Sequence, residues 1–196
     1  MTVNTDAPAY IVDGVLTDGE AWVALGTHVV SGGSTAIVTF TSSTGANDWS
    51  QYMDLVLISY GRNGDGSAMV MKMNLNNDTG SNYVYQQLYG TGSAVTAATG
   101  TQNYLDFFWY PPSATAANVV ACSITTLSDI NSGKYKSAQI KAANDMNGSG
   151  YVALMGNVWK NQAAITEIDL VDYYGANIAA DSRFDLFGIL PRMVTA

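Results

Sequence analysis

The feature that most constrains this chain is a series of short β-type segments, each followed by residues typical of turns. The segments alternate apolar and polar side chains or concentrate β-branched and aromatic residues, and they recur roughly every 8 to 12 residues. Between them lie clusters such as "RNGDGS", "NNDTGS" and "NDMNGSG". Helical periodicity is nearly absent. The pattern predicts an all-β fold, an antiparallel β-sandwich of jelly-roll type, with strands within 21–30, 34–42, 52–62, 68–75, 82–89, 104–110, 117–125, 134–143, 150–159, 164–172 and 183–190.

The chain of 196 residues has the length of one large domain. Residues 21–196 are predicted to form the jelly-roll β-sandwich. Residues 1–20 fit the alternation less well, and they contain Pro8 and acidic turns. They are predicted to be either an N-terminal arm lying on a neighbouring subunit or a first edge strand. The Ala/Thr/Gly-rich stretch 90–102 is predicted to be a flexible loop.

Charge and hydropathy exclude several partners. Only 12% of the residues are charged and the formal net charge is −8, so the chain lacks the basic surface that binding to nucleic acid requires. No apolar run approaches the length of a membrane span. We therefore expect no nucleic-acid partner and no membrane partner.

Residues for catalysis or cofactor binding are scarce. His28 and Cys122 are the single histidine and the single cysteine, which excludes an ordinary structural zinc site, and no nucleophile motif accompanies them. We expect a half-buried strand histidine and a small buried cysteine. The sequence predicts a protein that is not an enzyme and has no cofactor.

Five carboxylates cluster near the C-terminus. Glu167 and Asp169 share a strand face, as the alternation in "AITEIDLVD" indicates. A glycosidase needs two carboxylates facing each other across a cleft, and spacing along the chain does not show that. Solvated charges on an edge strand are the simpler expectation for the set Glu167, Asp169, Asp172, Asp181 and Asp185.

The stretch "NLNNDTG" spaces polar side chains like the start of a calcium loop. Asn74, Asn76 and Asp78 occupy positions one, three and five, but Thr79 stands where that loop needs glycine, and position twelve is a tyrosine. The stretch predicts instead a hairpin in which Asp78 caps the turn and Gly80 takes a positive φ. A looser Ca²⁺ site remains the alternative.

Clustered aromatic residues are the candidates for contact with a partner. "YLDFFWYPP" places Phe108, Trp109 and Tyr110 together before two prolines, and Tyr10 lies in the N-terminal segment. We predict that these four residues contribute to a partner interface. The alternatives for Trp109 and Tyr110 are a platform on which a sugar ring stacks, or a core strand with outward aromatics at its end.

Several segments together resemble a family of virion proteins of tailed bacteriophages, common in marine phages and cyanophages. The resemblance spans most of residues 35–190 and rests on order and spacing, since each motif is weak alone. Phe187 stands where the family's closing motif has tyrosine. The segments are "YMDLVLISYGR" (52–62), "MNLNNDTGSNYVYQQL" (73–88), "KYKS" (134–137), "NVWKNQAAITEIDL" (157–170) and "DSRFDLFGI" (181–189).

The resemblance implies a jelly-roll structural module located on the virion, and it implies no catalytic residues. The expected function is a capsid decoration (cement) protein that bridges major capsid subunits. The expected partners are the major capsid protein or other virion proteins, and further copies of the chain in a homotrimer. The alternative is a tail-fibre or receptor-binding module that recognises host glycan.

Overall fold

The computed structural model describes residues 11–12, 15–16, 22–66, 69–113, 118–146 and 148–190. Two short 3₁₀ turns, Gly45–Asn47 and Trp49–Gln51, are the helical segments of this part. The strands are β1 (Ile11–Val12), β2 (Val15–Leu16), β3 (Trp22–Val29), β4 (Ser34–Thr35), β5 (Ile37–Thr41), β6 (Asp54–Gly61), β7 (Met69–Leu75), β8 (Tyr83–Gly90), β9 (Val95–Gln102), β10 (Leu105–Tyr110), β11 (Ala121–Ser128), β12 (Lys136–Asp145), β13 (Gly150–Trp159), β14 (Glu167–Asp172), β15 (Ile178–Ala179) and β16 (Arg183–Ile189).

Two antiparallel sheets form the sandwich. The larger sheet has eight strands in the order β3-β16-β6-β11-β12-β13-β8-β9, and the smaller has four in the order β10-β7-β14-β5. Two-stranded ladders, β1-β2 and β15-β4, and an isolated bridge between Asn63 and Ile178 complete the described pairings. The predicted all-β fold, an antiparallel sandwich of jelly-roll character, is confirmed.

The core lies between the two sheets. Leu57, Leu127, Ile140 and Met155 face inward from the large sheet and are buried. The small sheet supplies Val38, Met71, Met73, Leu75, Ile168 and Leu170, which are also buried. Burial of this apolar surface is the main term that stabilises the sandwich.

Each of the eleven predicted segments contains a strand, whereas the prediction for residues 90–102 is wrong. Val95–Gln102 is the edge strand β9, paired with β8 from Tyr83↔Gln102 to Gly90↔Val95. The turn closes through the Thr91 N–H, which donates to Ala94 O at 3.0 Å. Thr favours strands, but the Ala and Gly residues of this stretch do not, so the backbone ladder from β8 is what orders this strand.

A buried lysine tethers two loops at one end of the large sheet. Lys136 is 1% exposed, and its ammonium donates to the carbonyl oxygens of Ser132, Lys134 and Gln162. Burial lowers the pKa of Lys136, although the negative charge of Asp129 opposes that shift. Three carbonyl acceptors match the three donors of an ammonium group, so this lysine is a structural crosslink between the loops before β12 and after β13.

Candidate interface surfaces

Structure and prediction diverge for the aromatic segment around β10. Tyr10 lies outside the described residues, and so does the side chain of Phe108. Tyr110 has no exposed surface, because its ring lies against Gly61, where a Cβ atom would come within 2.5 Å of the ring. Burial raises the pKa of its phenol. This burial counts against a partner contact by Tyr110 and fits the alternative of a core strand.

Trp109 is partly exposed and belongs to an aromatic cluster at the end of the sandwich. Its ring centroid lies 4.7 Å from that of Tyr151 and 5.0 Å from that of Tyr89. The Asn144 amide donates to Trp109 O at 2.8 Å and accepts from the Tyr151 N–H at 2.9 Å. These contacts pack Trp109 within its own subunit and leave only part of its ring for a partner.

The hairpin after β7 has the predicted cap but a different turn. Asp78 Oδ1 accepts the Gly80 N–H at 2.8 Å, which confirms the cap. The positive φ angles belong to Asn76 (52°) and Asn77 (56°), and the prediction of a positive φ at Gly80 is wrong. Asparagine tolerates this region because its short side chain bonds locally. A Cβ at 80 would lie 2.9 Å from Asn82 Nδ2, so a side chain there would displace the Asn82 amide.

Asp78 links this hairpin to the core. Its Oδ2 accepts the Trp159 Nε1–H at 2.7 Å and the Asn82 Nδ2–H at 2.9 Å. Burial alone would raise the pKa of Asp78, but the hydrogen bonds from Trp159, Asn82 and Gly80 outweigh it and lower the pKa. Ionised Asp78 therefore stabilises the fold.

The neighbouring asparagines bind protein groups as well. Asn74 Nδ2 donates to Asp78 O and Asn103 O at 3.1 Å, and Asn76 Nδ2 donates to Ala164 O at 2.7 Å. In the described part of the chain, no group of three or more His, Cys, Asp or Glu residues could hold a metal ion. The side chains of the "NLNNDTG" stretch therefore hold neighbouring segments of the fold together through hydrogen bonds.

The carboxylates do not form a row of edge charges, so that expectation is wrong for the strand β14. This strand lies between β7 and β5, and Asp169 is buried with its carboxylate accepting from Thr39 Oγ1 at 2.6 Å. Asp172 caps a turn by accepting the N–H groups of Tyr174 and Ala176. Asp185 lies on the other sheet beside Arg183. His28 is half-buried, as predicted.

An exposed tyrosine cluster that was not predicted from the sequence lies at the turn after β14. Tyr173 and Tyr174 pack edge to face at 4.9 Å, and Tyr104 packs against Tyr173 at 5.4 Å. Lys72 lies 5.8 Å from the centre of the Tyr104 ring. Tyr174 is 73% exposed. Such rings present flat apolar faces to solvent.

The most unusual surface is the outer face of the eight-stranded sheet, where the cross-strand register aligns apolar side chains in rows. We define the first row as Val29, Arg183, Tyr60, Cys122, Ala143 and Val152. The second row is Thr27, Asp185, Ile58, Ile124, Lys141 and Leu154. Ile124 is 47% exposed, Leu154 46% and Val152 68%. Contiguous exposed apolar surface of this kind marks an interaction site.

A shallow hollow of about 520 Å³ lies in the middle of this face. Ile58, Tyr60, Cys122, Ile124 and Lys141 are among its lining residues. The expectation that Cys122 is buried is wrong: its thiol is exposed, because odd and even residues of β11 face opposite sides of the sheet. The face carries few charges within the two rows, namely Arg183, Asp185 and Lys141.

A signal for this face was present in the sequence. In "GYVALMGNVW", Val152 and Leu154 are apolar, and so are their inward neighbours Ala153 and Met155. Strands that are apolar on both sides are typical of sheets covered on both faces. Alternation of side chains separates the two faces of a strand, but it does not show whether one face or both faces become buried.

Comparison with protein-family models, with curated proteins and with solved structures finds no match for this chain. Among the described residues, no helix is long and apolar enough to cross a membrane.

Proposed function

We propose that this protein is a non-enzymatic structural protein of a bacteriophage virion, a capsid decoration (cement) protein that stabilises the head by bridging major capsid subunits. The observation that carries the proposal is the broad apolar outer face of the eight-stranded sheet. The virion as its location comes from the resemblance of five ordered segments to phage virion proteins.

The mechanism is the burial of surface. Ile124, Val152 and Leu154 are exposed on the isolated subunit, and covering them with protein is favourable at about 25 cal/mol per Å² of apolar surface. Charged residues are only 12% of the chain, so little charge must be dehydrated when the remaining neutral surfaces lie against a shell. Subunits held together through the sheet face and resting on different capsid subunits would tie those subunits together against the pressure of packaged DNA.

The test is binding of the purified, labelled protein to capsids from which the protein has been stripped, with copies counted per particle. We expect hundreds of copies on the head, saturating at fixed lattice points. Capsids that keep their native complement are the matched control, and they should bind almost none. Few copies confined to the tail, or no saturable binding, would overturn the decoration proposal.

The second candidate is a tail-fibre or receptor-binding module that recognises carbohydrate of the host surface. The exposed cluster of Tyr104, Tyr173 and Tyr174 favours it, because sugar rings stack on exposed aromatic faces. Screening on a glycan array tests this function with wild type and Tyr174→Ala side by side. Binding that the substitution weakens supports a glycan site, and an array without signal removes it.

A further inference from the structure

We propose that the outer face of the eight-stranded sheet binds the same face of a second copy of this chain, about a twofold axis that runs along the strands between β6 and β11. The inference rests on the proposed function in taking this face as the surface through which subunits are held together. It replaces the expected trimer with a twofold pair, in which two subunits bridge the shell through their remaining surfaces.

The first argument is charge. A 180° rotation about this axis keeps each residue's level along the strand and lays β16 on β12 of the other copy, because these strands are equidistant from the axis. Lys141 and Asp185 occupy the same level, since both belong to the second row. Each Lys141 therefore faces an Asp185 of the other copy, and the twofold axis forms this pair twice.

The carboxylate of Asp185 is held in a fixed position on this face. It accepts Arg183 Nε–H at 2.7 Å and Thr27 Oγ1–H at 2.7 Å. The hydrogen bond from Arg183 is the chief reason that the pKa of Asp185 lies below its ordinary value. At neutral pH the carboxylate is ionised and held in place.

The second argument is the match of apolar residues. The same rotation lays β6 on β11 and β3 on β13. Ile58 then faces Ile124 in the second row, and Tyr60 faces Cys122 in the first. At the outer limit Val29, which is 47% exposed, faces the exposed Val152. Three of the facing pairs are thus apolar, while Arg183 lies over Ala143 and Thr27 over Leu154.

A twofold axis that runs across the strands fits less well. It would lay each strand on the same strand of the other copy, running in the opposite direction. The acidic residue of β12 is Asp145, so Lys141 could meet a carboxylate on β12 only if the two copies were placed with Lys141 opposite Asp145. The axis then passes through the first row, and Arg183 faces Arg183. Like charges buried against each other are costly, which favours the axis along the strands.

The third argument is area. The six strands from β3 to β13, at about 4.8 Å spacing and about seven residues of 3.4 Å each, give a face of about 700 Å² before side-chain relief is counted. Stable interfaces bury about 800 Å² per partner. Two such sheets pack face to face at about −30° in known sandwiches.

Sedimentation equilibrium of the full chain tests the pair. We expect a mass of twice the 20.8 kDa subunit. Lys141→Glu should weaken the dimer about tenfold or more, because it opposes Glu to Asp185. The double variant Lys141→Glu with Asp185→Lys places a cation opposite the introduced glutamate and should recover part of the lost affinity; the rest stays lost because Asp185→Lys also removes the partner of Arg183. Lys134→Glu, the same charge reversal at an exposed loop lysine, is the matched control and should leave the dissociation constant within about twofold.

Ile124→Asp provides a test that is independent of the ion pair, since this half-exposed side chain can be replaced without opening the core. We expect circular dichroism to show that this variant is folded and sedimentation equilibrium to show that it is a monomer. The thiol of Cys122 reports the same interface: its reaction with a thiol reagent should slow as wild-type concentration rises, and should not slow in Ile124→Asp.

A chain that stays monomeric at high concentration, or a dimer that neither Lys141→Glu nor Ile124→Asp weakens, would overturn the inference. These measurements need no capsid. A dimer that fails to bind stripped capsids therefore leaves the pair standing and rejects the decoration function, whereas a monomer that decorates capsids does the reverse.

Discussion

The two faces of the eight-stranded sheet use the same strands but have different surroundings. Ile140 faces inward from β12 and has no exposed surface, while Ile124 faces outward from the adjacent strand β11 and is half exposed. The small sheet covers the inner face and no described element covers the outer one. An apolar side chain in a strand therefore stabilises the subunit only on the side where the tertiary structure supplies a partner; on the other side it is available to another molecule.

The largest difference in stability is expected between matched substitutions on the two faces. Ile140→Ala should lower the free energy of unfolding by about 2–5 kcal/mol, because it leaves a cavity between the sheets. Ile124→Ala should lower it by less than about 1 kcal/mol. Urea denaturation at a concentration that keeps the chain monomeric measures both. Equal losses would mean that the outer face is covered within the subunit.

The next largest effect on stability is expected at Asp78, which hydrogen-bonds a tryptophan of the inner face. Asp78→Asn removes the carboxylate that accepts from Trp159 Nε1 and should cost about 1–3 kcal/mol at neutral pH. Because the pKa of Asp78 is lowered in the folded chain, its stabilisation is present above its ordinary pKa and is lost as pH falls through the folded-state pKa. The difference in unfolding free energy from wild type should thus shrink in acid.

Urea unfolding of Asp78→Asn at a series of pH values measures that trend, with Asp65→Asn as the control at an exposed carboxylate. A loss that is the same at neutral and acid pH would contradict the role of the ionised carboxylate.

Two glycines differ in the same way, because only one of them has room for a side chain. A Cβ at Gly188 would lie 2.5 Å from the ring of Tyr52, whereas a Cβ at Gly156 would meet nothing within 4 Å. Gly188→Ala should destabilise by about 1–3 kcal/mol through overpacking. Gly156→Ala, on the outer face, should be neutral or stabilise by up to about 1 kcal/mol. Thermal unfolding of both variants distinguishes the two sites, and a neutral Gly188→Ala would show that Tyr52 moves freely.

The smallest effect is expected at Cys122. Cys122→Ser changes an exposed side chain of the outer face and should alter the free energy of unfolding of the monomer by less than about 0.5 kcal/mol. A denaturation curve measures it. A loss comparable to that of Ile140→Ala would place the thiol in the core.

Much of the fold follows from local pattern. The strands around Phe40 and Ile168 could be predicted with their inner faces, because alternation in a strand separates two sides without any knowledge of the partner strand. The cap by Asp78 was also predictable, since an aspartate two residues before a glycine bonds the backbone locally. β9 was not, because its Ala and Gly residues dilute the strand preference of its threonines and its order depends on pairing with β8.

The candidate surfaces depended on the tertiary structure. Tyr110 and Trp109 are adjacent in sequence, yet one is fully buried and the other partly exposed. Neighbouring residues of a strand point to opposite sides of the sheet, and the packing of the two sheets decides which side is covered. Lys136 is buried and Cys122 exposed, against the usual preference of both residue types. Which of several similar side chains reaches solvent is set by contacts between segments that are distant in the chain.

The sequence by itself determined the fold class, the positions of eleven strands, the side of each strand that could be apolar, and the low charge of the surface. These are properties of near neighbours along the chain, governed by side-chain period and turn chemistry. Only the tertiary structure decided which apolar side is covered, which carboxylates are buried, and that Lys141 and Asp185 lie at one level of a single exposed face. Those facts depend on strand order and register, which arise from the packing of the whole domain.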